Sequence, residues 1–127
     1  MSLSIDGTIY NINVVSLKRA ADFLDKVAER TADGVLHREL IGVYYNYRLA
    51  LSPGTNMTTT QYQAFWTAIT AAEEFHTVIV PDVDGTPYSF TAYFAGVSDE
   101  LKKDYAAKSY WNNLTINFIA QSPARTP

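Results

Sequence analysis

The sequence predicts a mainly β, α+β fold: a β-sandwich or barrel of five to six or more strands, with a long hairpin and one packed α-helix over about 58–74. Three observations carry that expectation. Aromatic residues make up 13% of the chain, nine of them tyrosine, with Val, Ile and Thr common alongside, a composition that suits pleated sheet. Alternation of apolar and polar residues recurs in several runs bounded by turn residues, whereas helical spacing is clear in one stretch. At 127 residues and 47% hydrophobic content, the chain fits one domain, 1–127, large enough to bury a core of its own.

The first strand is expected over Thr8 to Val15, after the turn signal Asp6-Gly7. Leu17 to Val27 fits two templates, since Leu17, Ala20, Ala21, Leu24 and Val27 also match a helical stripe; a strand is preferred because a turn and a long alternating run succeed it. Ala32-Asp33-Gly34 is that turn signal, and Val35 to Ser52 then alternates without a break. Ile41, Val43, Tyr45, Tyr47, Leu49 and Leu51 fall on one face, with Arg38, Leu40, Gly42, Tyr44, Asn46 and Arg48 on the other.

That run is too long for its protein. At 3.3 Å per residue it spans roughly 55 Å, against a diameter of about 36 Å for a compact domain of this size. Gly42 offers the escape, because a glycine inside a strand often marks a bulge or bend. Either the strand turns a corner there, or the hairpin of Leu17–Val27 with Val35–Ile41 projects as an arm.

Pro53-Gly54 closes the run, and Asn56 to Glu74 reads as the helix. Thr58-Thr59-Thr60-Gln61 forms a capping box, and Tyr62, Phe65, Trp66, Ile69 and Ala72 come after it at helical spacing. Phe75 to Val80 is a strand closed by Pro81, and Asp82-Val83-Asp84-Gly85 turns it into a partner strand over about Thr86 to Ala95. Ser98 to Ser109 is densely charged and reads as a loop or short helix. A last strand over Asn113 to Gln121 points Leu114, Ile116, Phe118 and Ala120 inward, and 122–127 is expected as a loose tail.

Composition narrows the function. The net charge is −3, and the ten Lys and Arg never form a run longer than two, so no phosphate-tracking patch forms and specific nucleic-acid binding is not expected. The absence of cysteine removes disulfides, thiol nucleophiles and zinc-thiolate sites, as a reducing cytoplasm tolerates. No stretch approaches eighteen apolar residues and the first residues carry no h-region, so neither membrane insertion nor export by a standard signal is expected.

Motifs for catalysis do not assemble. His37 and His76 lie at no metal-ligand spacing and read as a solvated strand residue and a strand-edge residue. The Asp82–Gly85 quartet lacks the glutamate that a calcium loop requires at its twelfth position, where Tyr93 stands. There is no Gly-x-Ser-x-Gly elbow, and the six glycines are isolated, so no phosphate cradle forms. No catalytic residue, cofactor or metal is therefore expected. The cluster Tyr44-Tyr45-Asn46-Tyr47 reads either as core or as a face for stacking on sugars or protein.

Four segments carry a resemblance: IDGTIYNINVVSLKR; RTADGVLHRELIGVYYNYRLALSPG; the Tyr62-x-x-Phe65-Trp66 helix with HTVIVPDVDG; and YWNNLTINFIAQSPARTP. Together they resemble a family of small tail-associated structural proteins of tailed phages and prophages of gut bacteria, and more distantly the tail-tube and distal-tail fold. The resemblance implies a sandwich or barrel with one flanking helix, a homo-oligomeric ring, often sixfold, and no cofactor. It also implies other tail proteins as partners, and a place in the virion tail after synthesis in the host bacterial cytoplasm. The hairpin tip would then either supply the subunit interface, through Arg30, Asp33, His37 and Arg38, or leave these four polar residues simply solvated. The alternative is a carbohydrate- or ligand-binding β module using Tyr44, Tyr45, Tyr47 and Trp111.

Overall fold

The computed structural model describes residues 2–54, 57–105 and 108–127. The chain is mainly β with one α-helix. Its strands are β1 (Ser2–Ile5), β2 (Thr8–Asn11), β3 (Val14–Arg30), β4 (Leu36–Leu51), β5 (His76–Pro81), β6 (Pro87–Tyr105) and β7 (Lys108–Ala120), and α1 (Thr59–Ile69) lies between β4 and β5. All seven strands join one antiparallel sheet in the order β2-β1-β5-β6-β7-β4-β3.

One face of this sheet is dry. Leu3 and Ile5 of β1, Tyr47, Leu49 and Leu51 of β4, Val78 and Val80 of β5, and Leu114, Ile116 and Phe118 of β7 are buried, each set two residues apart as the pleat requires. The helix covers that face with Tyr62, Phe65 and Ile69. Phe65 meets Tyr10 edge to face, with centroids 5.7 Å apart.

The capping box forms as its sequence implies: the Gln61 amide N–H donates to Thr58 Oγ1 (3.1 Å), and the Thr58 amide N–H to Gln61 Oε1 (2.9 Å). The helix is shorter than the expected 58–74. It stops after Ile69, where the Thr70 hydroxyl donates to the Trp66 carbonyl, so that the chain can turn back and set His76 opposite Ala92. Asn56, the expected start of the helical stretch, lies outside the described residues.

Other expectations are corrected at the ends of strands. The run expected over Thr8 to Val15 is two elements, since β2 ends at Asn11 and β3 begins at Val14. Asp6-Gly7 is the tip of a β1–β2 hairpin: both residues have positive φ (51° and 86°), as a two-residue hairpin turn demands, and Ile5 pairs with Thr8. Leu17 to Val27 belongs to a strand, because β3 pairs with β4 from Val14↔Leu51 to Arg30↔Leu36.

Ser98 to Ser109 is neither loop nor helix in its described part. β6 continues to Tyr105 and pairs with β7 as far as Tyr105↔Lys108. Ala106 and Ala107 lie outside the described residues. The Asp82–Gly85 turn sits where expected, with the Val83 amide N–H donating to Asp82 Oδ1 (2.8 Å).

The segment expected as a loose tail is tied to β4. The Ala124 N–H donates to the Val43 carbonyl (2.8 Å) and the Val43 N–H to the Arg125 carbonyl (2.9 Å), while Arg125 Nε donates to the Tyr45 hydroxyl. This docking explains Gly42. A Cβ at that position would lie 2.5 Å from Pro123 Cβ and 2.8 Å from the Arg125 carbonyl oxygen, so only glycine lets the returning chain approach. A bulge falls beside it, since Leu24 faces Gly42 while Asp25 faces Leu40, leaving Ile41 as the extra residue.

Gly42→Ala is therefore expected to lower stability by about 1–3 kcal/mol, the usual cost of forcing extra volume into a packed contact. Urea denaturation measures the loss. Limited proteolysis is expected to release residues 122–127 faster from the variant than from the parent.

Candidate interaction surface

Two hairpins run past the core, and register shows that they leave it in opposite directions. β4 is held on both sides only where Tyr47 to Leu51 pair with Phe118 to Leu114 of β7. Beyond Tyr47, β3 and β4 continue together as a two-stranded arm whose inner end meets the returning C-terminal segment: the Ala120 N–H bonds Asn46, residues 124 and 125 bond Val43, and Pro123 lies against Gly42. β6 and β7 likewise continue past Ser98 and Thr115 as a second arm. Because β4 and β7 are antiparallel, the first arm departs at the Phe118 end of the shared sheet and the second at the Leu114 end.

The first arm is laced by its own side chains, and outward of Gly42 nothing else among the described residues covers it. Arg38 pairs with Asp25 and lies over the Phe23 ring, 5.5 Å from its centroid; Asn46 donates to Asp22, and Lys26 Nζ lies 3.9 Å from Glu39. Its apolar residues are nonetheless exposed. Phe23 keeps 59% of its surface, Val35 51% and Leu36 50%, with Leu24 and Ile41 close behind. Apolar side chains left uncovered along a thin ribbon offer surface that a neighbour can bury.

The four residues expected at the interface gather on the outer half of this arm, in unequal roles. Asp33 is consumed by the turn, accepting from the Thr31 hydroxyl and from the Val35 N–H (3.1 Å), and these bonds hold its carboxyl below the usual carboxylate range. Arg30 Nη1 donates to the Gly34 carbonyl (3.0 Å). Arg38 braces the two strands internally. His37 faces solvent opposite Glu29.

The base of the second arm carries a site that sequence reading missed. Ser98 faces Thr115 and Glu100 faces Asn112, so Asn113 and Leu114 together oppose Asp99, and Asn113 takes the positive φ of 54° that such a bulge needs. The bulge brings Asp99 to the helix, where Tyr62 Oη donates to its Oδ2 (2.9 Å). Burial first, then the Asp99 hydrogen bond and charge, push the Tyr62 phenol well up from its ordinary value, so it stays a donor. Leu101 and its cross-strand neighbour Trp111 lie two residues along on the same side. With Tyr62, Gln63 and Trp66 of α1, Asp99 and Trp111 line an open cleft of about 240 Å³. A larger hollow of about 510 Å³ adjoins it through Tyr62, Gln63 and Trp111.

The tyrosine platform does not form. Tyr47 is buried, Tyr45 is half-buried, and they pack on Tyr88 and Phe90, with Tyr47 and Phe90 centroids 5.2 Å apart. Trp111 lies toward the other end of the sheet, so the four aromatic residues considered for carbohydrate binding do not converge.

His76 is corrected from a strand-edge residue to a core one, exposed by only 3% and stacked on Phe94 at 4.3 Å. Its Nδ1 donates to Asp6 Oδ2 (2.6 Å), while Asp6 Oδ1 accepts from the Thr77 N–H (2.8 Å). The contact clamps the β1–β2 turn to β5. Glu73 stands close enough that the three side chains offer ligand atoms within 4.8 Å of one another. Both Asp6 oxygens are already engaged, which gives Asp6 and His76 a structural use. Nothing in the spacing of residues 6, 73 and 76 marked it in the sequence.

No family model, no curated protein and no solved structure matches the chain.

The clamp predicts acid sensitivity. The His76 hydrogen bond is the main cause holding the Asp6 carboxyl below its ordinary 3.8, with the Thr77 amide and the His76 charge assisting against partial desolvation. A carboxylate with a depressed folded-state value stabilises the fold above its unfolded value and loses that contribution as pH falls through the folded one. Urea midpoints measured downward from pH 6 are therefore expected to drop below about pH 4. Asp6→Asn is expected to lower the midpoint at pH 6 and to flatten this part of the profile.

Proposed function

We propose that the protein is a non-enzymatic structural component of a phage or prophage tail, whether of tube, distal tail or baseplate, that assembles into a ring by lending its arms to neighbouring copies. One observation carries the reading: two hairpins leave opposite ends of one sheet with their apolar side chains uncovered. A monomer gains nothing from ordering such ribbons, since a lone two-stranded hairpin is at best marginally stable in water. Covering them against another copy supplies the missing burial.

Oppositely directed arms suit heterologous contacts, in which one surface of each subunit meets a different surface of the next and the rotation closes a ring. The outer edge of β3 adds a second means. Over Val14–Arg30 it has no strand partner on its far side among the described residues, so its backbone can accept a strand from a neighbour. The charges along it alternate in sign, from Lys18 and Arg19 through Asp22 and Asp25 to Lys26, Glu29 and Arg30, which disfavours indiscriminate pairing. The resemblance of four segments to tail-associated proteins points to the same assembly, with itself and other tail proteins as partners and the virion tail as its place.

Light scattering over a concentration series, followed by electron microscopy, tests this reading. The parent is expected to populate a closed oligomer as concentration rises; a strict monomer throughout would contradict it. Leu36→Asp is expected to leave folding stability within about 0.5 kcal/mol, as exposed positions allow, and to abolish the larger species.

A further inference from the structure

We propose that the Trp66–Trp111–Asp99 cleft at the base of the second arm is a cation-binding socket, and that it receives the guanidinium of Arg30 from the first arm of another copy. The inference rests on the ring-assembly reading and names the two surfaces that meet.

The socket's chemistry selects a cation. Two indoles and a phenol line it, and aromatic rings attract a cation set over their faces. Asp99 adds a full negative charge. Its Oδ2 is taken by Tyr62 Oη, and among the described residues its Oδ1 has no hydrogen-bond partner. Among the described lining residues Asp99 is the one charged group, and its charge favours a cation over an anion.

The structure points to Arg30 as the occupant on three grounds. It stands at the outermost pair of the first arm, opposite Leu36. Its one described bond, from Nη1 to the Gly34 carbonyl, leaves most of a guanidinium's five donors available. Val35 and Leu36 flank it with half-exposed apolar surface, which matches the exposed Leu101 and Trp111 beside the cleft. By contrast, Arg38 is engaged with Asp25 and Phe23, and Arg19 with Asp82 at 2.7 Å.

Direction excludes self-occupation. The first arm leaves the sheet at the Phe118 end, while the cleft sits toward the Leu114 end, so Arg30 points away from its own socket. A second copy displaced along the strand direction brings its arm tip to that end, the head-to-tail relation that a ring of heterologous contacts requires.

The chain's two tryptophans, Trp66 and Trp111, both line the cleft, so intrinsic fluorescence reports directly on its occupancy. In dilute protein, N-acetyl-arginine methylamide is expected to change the emission saturably, and Asp99→Asn, which keeps an acceptor for Tyr62, to weaken that response about tenfold or more. Absence of a saturable change overturns the socket. In a concentration series of the parent, emission is expected to change together with light scattering; Arg30→Asp should remove both changes, and Arg30→Asp combined with Asp99→Arg should restore them. Assembly that proceeds with unchanged emission, or equally well in Arg30→Asp, overturns the arm-in-socket contact while the ring reading stands. A parent that stays monomeric throughout overturns both.

Discussion

The continuous hydrogen-bonded pairing of β3 with β4 is the constraint on which the rest of the molecule depends. A ladder satisfies the backbone of both strands locally, whether or not anything covers their side chains. Once Leu49 and Leu51 have seated β4 in the core, the pairing therefore continues outward for as long as both strands favour extended structure. Only Tyr47 to Leu51 of β4 pair with β7; Tyr45 still packs on the core, and the strand outward of Gly42 lies beyond what the sheet and one helix can cover.

An uncovered ladder is weakly held. The side-chain pairs along the first arm are exposed or partly so, and exposed ion pairs contribute about 0–1 kcal/mol each. The returning C-terminal segment braces only the inner end, at Val43, and Gly42 makes room for it. The outer half is thus the least stable part of the β3–β4 pair by construction, and the part with most to gain from a neighbour. The second arm obeys the same logic, with a bulge at its base that turns Asp99 toward α1 and joins arm and helix in one cleft.

Much of the fold was legible in the residues. The alternation of Val35 to Ser52 was too long to be hidden in so small a domain, the Thr58–Gln61 box placed the helix start, and Leu114, Ile116 and Phe118 announced a buried strand. The misses have physical causes. β1 has four residues, too few for alternation to register, so Asp6-Gly7 looked like a start where it is a hairpin tip. Ser98 to Ser109 carries charge on both faces because, as an arm, it has no buried face to keep apolar. His76 depends on a carboxylate 70 positions away, and the cleft joins residues 62, 63, 66, 99 and 111 through a bulge that only pairing register defines. Of the candidate interface, the sequence marked the outer half of one arm and missed both the other arm and the socket.

Arms that are contact surfaces awaiting cover gain backbone protection when a neighbour binds, which amide hydrogen exchange reads. Exchange of the β3 backbone over Val14–Arg30 is measured at low and at high protein concentration. Protection along β3 is expected to rise with concentration while the core amides of β4 and β7 stay constant. Rates along β3 that are identical at both concentrations would contradict it.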